Sequence, residues 1–228
     1  MILHYQHQIL VRVCLFNIQG LQAHIADLKE DRRMMDADLL CLTEAWLQHN
    51  IPPSNIDIAG WTFNCKARSL SYSDLTHFSA LQKEQHGGVG FYHKSHMICN
   101  IITLPYHNLE AIMFNVQPIN HNYIVLYRRP SYKIGLFKKN LSAVINHFNQ
   151  LSGGKIIMGD FNDNALVSKS MDNFMTEHGF SQIVTFPTTE TGTLIDHIYI
   201  KDIDPKNVDI QLISTYYSYH ECLCMRFK

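Results

Sequence analysis

No apolar run in this chain approaches the roughly 18 residues that a membrane-crossing helix needs, so no spanning segment is expected. Six cysteines, at positions 14, 41, 65, 99, 222 and 224, include no Cys-x-x-Cys pair, which argues against a zinc site. The opening MILHYQHQIL lacks the basic head and long apolar core of a secretory signal. An intracellular chain, nuclear or cytoplasmic and not secreted, with free thiols, is therefore expected. Charge is scarce: 17% of residues are charged, and the formal net charge of −1 neither supports nor excludes nucleic acid, whose contacts must then be concentrated locally. P-loop, Gly-x-Ser-x-Gly and His-Glu-x-x-His patterns are missing. So are internal repeats, linkers and low-complexity tracts. What remains is 228 residues, 46% of them hydrophobic, enough for a sizeable core and read as one domain over residues 1–228.

Periodicity predicts strands at 9–16, 38–43, 61–66, 88–93, 97–103, 109–116, 122–127, 155–158, 194–200, 207–213 and 221–227. Helices are predicted from Gly20 to about Met35, over 133–150 with Leu136, Phe137, Leu141, Val144, Ile145 and Phe148 at helical spacing, and over 169–178. Cys222 and Cys224 fall on one face of the last strand, where burial explains them. The polar stretch from Ala67 to His86 is long for a structureless connection and reads as a functional loop. Runs of consecutive strands with helices between some of them predict an α/β sandwich rather than an alternating parallel sheet.

Polar residues stand where strands end: Asn17 in LFNIQG, Glu44 in LLCLTE, Asp160 and Asn162 in IIMGDFN, Asp196 and His197 in TLIDHIYI, and His220 in TYYSYHE. Each alone is weak, because turns favour Asn and Asp. Together they fit metal-assisted phosphoryl chemistry. Mg²⁺ prefers hard oxygen ligands, and Glu44 is a natural carboxylate for it. Asp160 can orient or deprotonate a water, Asn17 and Asn162 add oxygens or donors without charge, and an imidazole held by Asp196, as at His220, can donate to a phosphate oxygen.

The order LFNIQGL, LLCLTEAWL, GGVGFY, LYRRPSY, IIMGDFN, TLIDHIYI and YYSYHE resembles the endonuclease/exonuclease/phosphatase superfamily from about residue 10 to the end. The resemblance implies a deoxyribonuclease I-like fold: a four-layer α/β sandwich, two mainly antiparallel sheets face to face with helices outside. LTEAWL, FPTTETGTLIDHIYI and TYYSYHE are closest to endonuclease domains of mobile elements, of the non-LTR retrotransposon or Helitron type. It implies a DNA-nicking hydrolase using Mg²⁺, with Mn²⁺ able to substitute, acting as a monomeric domain of a longer polyprotein. In that family, Asn17 and Glu44 match metal-binding positions, and Tyr127 the tyrosine on the phosphate. Asp160 and Asn162 match the pair handling the attacking water, Asp196 and His220 the carboxylate–imidazole pair at the scissile phosphate, and Thr193 a hydroxyl residue touching the backbone.

The chain departs from the family in three places. Tyr219 stands where the family has Asp beside the metal and water, Arg129 stands where proline is common, and Gln19 replaces an acid. Tyr219 is bulky and neutral at working pH, so a weakened or silent enzyme is one expectation. Glu221, two residues on along an extended segment, is a candidate substitute carboxylate, although a surface residue opening a strand is the simpler reading. Arg128 and Arg129, beside Tyr127, are the best phosphate contacts, ahead of Lys66, Arg68, Lys133, Lys138 and Lys139. Trp46 and Trp61 can stack on bases or fill the core. The alternatives to a DNA-nicking enzyme are a phosphodiesterase or phosphatase on a non-DNA substrate, and a catalytically silent nucleic-acid-binding module of the same fold.

Overall fold

The computed structural model describes residues 11–47, 53–72, 86–104, 108–117 and 119–228. Within them lie two six-stranded sheets. The first has the order β11-β12-β1-β2-β4-β3, built from β1 (Arg12–Asn17), β2 (Leu39–Thr43), β3 (Trp61–Lys66), β4 (Val89–Lys94), β11 (Val208–Ile213) and β12 (Cys222–Phe227). The second has the order β5-β6-β7-β8-β10-β9, from β5 (Ile98–Ile102), β6 (Glu110–Gln117), β7 (His121–Tyr127), β8 (Gly154–Asp160), β9 (Ser181–Gln182) and β10 (Asp196–Lys201). One pair in each sheet is parallel, β1 with β2 and β7 with β8; the other pairings are antiparallel.

Central strands read as unbroken apolar runs because both of their faces are covered. In β1, Val13 and Leu15 point into the core between the sheets, while Cys14 and Phe16 point to the helix side. β8 divides in the same way, with Ile156 and Met158 inward and Ile157 outward. Phe91 of the first sheet stacks on Phe114 of the second at 3.7 Å between ring centroids. Cys222 and Cys224 do share one buried face, with Cys14 beside them.

The outer layers are α1 (Leu21–Glu30) and α2 (Arg32–Met35) on the first sheet, and α3 (Ile134–Phe148) and α4 (Ser170–Glu177) on the second. The single helix predicted over 20–35 is thus two. Asp31 between them is extended, at φ −75° and ψ 95°, and its side chain accepts the Arg33 N–H to cap the second. In α3, Phe137, Leu141, Val144, Ile145 and Phe148 are buried as expected, but Leu136 lies on the solvent side. The stretch read as a functional loop falls partly outside the described residues, at 73–85. No helix among the described residues is long and apolar enough to cross a membrane.

Candidate active site

The C-terminal ends of β1, β2, β7 and β8 and the starts of β10 and β12 meet at one end of the sandwich. Sheet register explains the convergence. Asp160, at the end of β8, is opposite Tyr127 of β7 and Asp196 of β10, so those three side chains share one face of the second sheet. Asn17 ends β1 opposite Thr43, which places Glu44 one residue further on the first sheet. His220 lies two residues before β12, bridged to Thr189. Gly159 lets β8 approach β7 closely just before Asp160: a Cβ there would lie 1.8 Å from the Leu126 carbonyl oxygen.

Asp160 is buried and accepts two hydrogen bonds, one from Asn17 Nδ2 at 2.9 Å and one from the Asn162 N–H at 2.8 Å. His220 Nδ1 pairs with Asp196 Oδ2 at 2.7 Å. Thr188 Oγ1 donates to the same Asp196 oxygen at 2.9 Å, and Ser218 ties two neighbouring strands of the first sheet by donating to the Asn17 carbonyl while accepting the His220 N–H. Asp160, Asp196 and His220 each offer an atom within 4.8 Å of the others. Burial, and then the charge of Asp196, push the Asp160 carboxyl up to about 8, against the pull of His220 and the two hydrogen bonds. Burial lowers the His220 imidazole, but Asp196, with Asp160 and Glu44 behind it, more than offsets this and leaves it above its ordinary value.

Two buried atoms of this cluster, Asp196 Oδ1 and His220 Nε2, have no hydrogen-bond partner. Buried polar atoms are rarely left so, and such a pair marks a place for water, ion or substrate. Beside them Glu44 accepts the Trp46 indole N–H at 2.5 Å, and its charge acts on the Tyr127 hydroxyl. Glu44, whose charge reaches His220, adds a carboxylate beside this cluster, and with the unpaired Asp196 oxygen the donors present are of the hard kind that Mg²⁺ takes.

Other expected site residues lie differently. Asn17 acts through Asp160, and its amide oxygen accepts the Gln19 N–H at 3.2 Å. Arg128 does not reach outward to a phosphate: it is buried, and its guanidinium donates to the carbonyls of Phe161, Tyr132 and Asn162 at 2.5–2.6 Å. It clamps the turn carrying Asp160 and Asn162, with Asn162 Nδ2 returning a bond to the Arg128 carbonyl. Arg68 is likewise inward, paired with Glu110 at 2.8 Å. Lys138 is pinned to Ser170, whereas Lys133 and Lys139 are exposed. Arg129 is half-buried, and its Nε lacks a partner. Thr193 bonds Thr189 Oγ1 at 2.7 Å rather than the Asp160–Asp196–His220 cluster. Trp61 is core, under Lys94. His197 is buried against Tyr199 and two backbone carbonyls.

Tyr219 is 45% exposed, its ring 4.3 Å from that of His220. Burial and then the carboxylates of Asp160, Glu44 and Asp196 raise its hydroxyl; Glu221 is not among the charges acting on it. The sequence reading missed Thr188, Ser218 and the Trp46–Glu44 bond. The hydroxyl run FPTTETGT and the SYH triplet were their only signals.

The Endonuclease/Exonuclease/phosphatase family profile matches residues 14–220, and the chain belongs to this family of nucleases and phosphodiesterases. Solved structures with the same fold include the endonuclease domain of TRAS1, a telomere-specific non-LTR retrotransposon (13% identity over 96% of this chain and 98% of that one, TM-score 0.71). Two others are the 3′ phosphatase NExo from Neisseria bound to product DNA hairpin (14%, 96% and 99%, 0.67) and an AP endonuclease from Archaeoglobus fulgidus (14%, 95% and 99%, 0.68). At these identities the likeness establishes the fold. No curated protein matches the chain.

Proposed function

We propose that this chain is a divalent-metal-dependent phosphodiesterase acting on DNA, a nicking endonuclease domain of a mobile element, with Mg²⁺ as the cofactor. The observation that carries the reading is the buried Asp160–Asp196–His220 cluster with its two unpaired atoms, beside a Glu44 held by the Trp46 indole. Glu44 would hold the metal, with the unpaired Asp196 Oδ1 as a second oxygen for it, and the metal would supply positive charge to the phosphate oxygens and leaving group. Asp160, held by Asn17 and the Asn162 N–H, orients a water and takes its proton. A carboxyl raised to about 8 is a stronger base than an ordinary aspartate. His220, whose cationic form Asp196 favours, would donate through its unpaired Nε2 to a phosphate oxygen as charge develops. The Tyr127 hydroxyl and the unpaired Arg129 Nε would contact the phosphate, and Thr193 the backbone beside it. The DNA-bound Neisseria relative and the TRAS1 domain support DNA as the substrate class.

A second reading, binding without turnover, is favoured by Tyr219, which puts a neutral ring where the family carries a carboxylate. The test is supercoiled plasmid with Mg²⁺, with and without chelator. Open circles that vanish with chelator are expected. Retained DNA binding with no nicking would establish the second reading, and turnover of a generic phosphodiester without nicking would move the substrate away from DNA.

A further inference from the structure

Outside the cleft, one buried ion pair is joined to Glu44 by a continuous run of hydrogen bonds. Glu110, at the start of β6, accepts from Arg68 Nε at 2.8 Å and from the Tyr72 hydroxyl at 2.9 Å on one oxygen, and from the Gly88 N–H at 2.6 Å on the other. Glu110 and Arg68 are both buried. The glycines pass the position on: the Gly88 carbonyl accepts the Ala45 N–H at 3.3 Å, and the Gly87 carbonyl accepts the Trp46 N–H at 2.8 Å. Ala45 and Trp46 directly follow Glu44, and the Trp46 indole returns to the Glu44 carboxylate.

The glycine turn is pressed against the pair. A Cβ on Gly87 would come within 2.3 Å of an Arg68 guanidinium nitrogen and 2.4 Å of Glu110 Oε2. A second route runs through the sheet. Glu110 is opposite Tyr127 across β6 and β7, the Arg68 guanidinium lies 5.7 Å from the Tyr127 ring centroid, and the Tyr127 hydroxyl lies in the field of Glu44. Glu44 and Trp46 are both left-handed, at φ 52° and 53°, a conformation that persists only where the surroundings impose it. Stability alone is a poor reason for such a pair, because well-packed apolar residues commonly do as well.

We propose that the Arg68–Glu110 pair is a positioning device for the Glu44 carboxylate, setting metal affinity without touching the metal. This rests on the reading of Glu44 as a metal ligand. The test compares wild type, Glu44→Ala, Glu110→Gln and Arg68→Lys by Mn²⁺ titration calorimetry on the full chain. It also follows the indole N–H resonance of Trp46 in metal-free protein, assigned with Trp46→Phe. Glu110→Gln and Arg68→Lys are expected to weaken Mn²⁺ binding by about 10–100-fold, the usual effect of losing a group that orients a ligand, and to shift the Trp46 resonance before any metal is added. Full Mn²⁺ affinity in Glu44→Ala would remove the ligand reading and the proposal with it. Weakened binding in Glu44→Ala, but wild-type binding and an unmoved Trp46 resonance in the pair variants, would overturn the positioning role alone. If Glu110→Gln does not fold, Arg68→Lys and Glu110→Asp, which keep both charges, decide the same question.

Discussion

Replacing Asp160 by asparagine isolates the electrostatic cost of the cluster. The folded carboxyl is held near 8 by burial and by Asp196, against an ordinary 3.8. In metal-free protein the unfolded chain releases this proton near its ordinary value, while the folded chain keeps it until about pH 8. The folded state therefore binds more protons across that window, and its stability falls as pH rises through it. The limiting slope is about 1.4 kcal/mol per pH unit, or up to about 4 kcal/mol between about pH 5 and about pH 8. At about 2–4 °C per kcal/mol for a domain of this size, that is on the order of 10 °C in Tm. Asp160→Asn carries no such charge. Its amide also sets a donor against either Asn17 Nδ2 or the Asn162 N–H, which adds a penalty independent of pH. The slope, not the offset, is thus the measurement: Tm in chelator against pH for both proteins. Wild type should fall away from Asp160→Asn as pH rises, and saturating Mg²⁺ should recover the loss. Parallel curves would falsify the raised carboxyl and the base strength inferred from it. Nicking should be lost in Asp160→Asn at every pH.

Glu44→Ala should abolish metal-dependent nicking while the fold survives; wild-type cleavage undiminished in excess chelator ends the metal reading. Tyr219→Asp restores the family carboxylate and should raise Mg²⁺-dependent nicking at least about 10-fold. Glu221→Gln should change little, as expected of a residue that only precedes the last strand; a loss of nicking in that variant would show that Glu221 compensates. Arg128→Met should cost about 3 kcal/mol or more, because three carbonyls lose a buried donor. A Tm within about 2 °C of wild type would contradict the clamp.

The strands were legible because two-sided burial writes them as apolar runs, and strand-end polar residues were legible because sheet register places strand ends together. Asp160, Asp196 and His220, far apart in sequence, meet for that reason. Side-chain direction was not legible. Arg68 and Arg128 read as phosphate contacts because an arginine near Tyr127 looks the same in sequence whether it faces solvent or backbone carbonyls. The carboxylate that turns Arg68 inward, Glu110, lies 42 residues away on a strand read only as apolar. The helix break at Asp31 was missed because the apolar period continues through it at Met34, and only the capping bond to Arg33 marks the interruption.

The backbone around the cleft bears on how Tyr219 should be read. Seven non-glycine residues among those described have positive φ, and four of them, Gln19, Glu44, Trp46 and Asn162, surround the site. Asparagine tolerates that conformation, but glutamine, glutamate and tryptophan each cost about 1–3 kcal/mol there. These residues alternate with the core positions Ile18, Leu21, Ala45 and Leu47, and the strands beside them end before they begin. The strain is what presents the Glu44 carboxylate to Trp46 and Tyr127 and carries the chain from Asn17 toward α1. A cleft that no longer held a ligand would gain stability from a single glycine or asparagine at any of the three positions. The presentation of Glu44 to Trp46 is intact beside Tyr219, and Tyr219→Asp therefore tests a change of rate or ligand rather than a lost cleft.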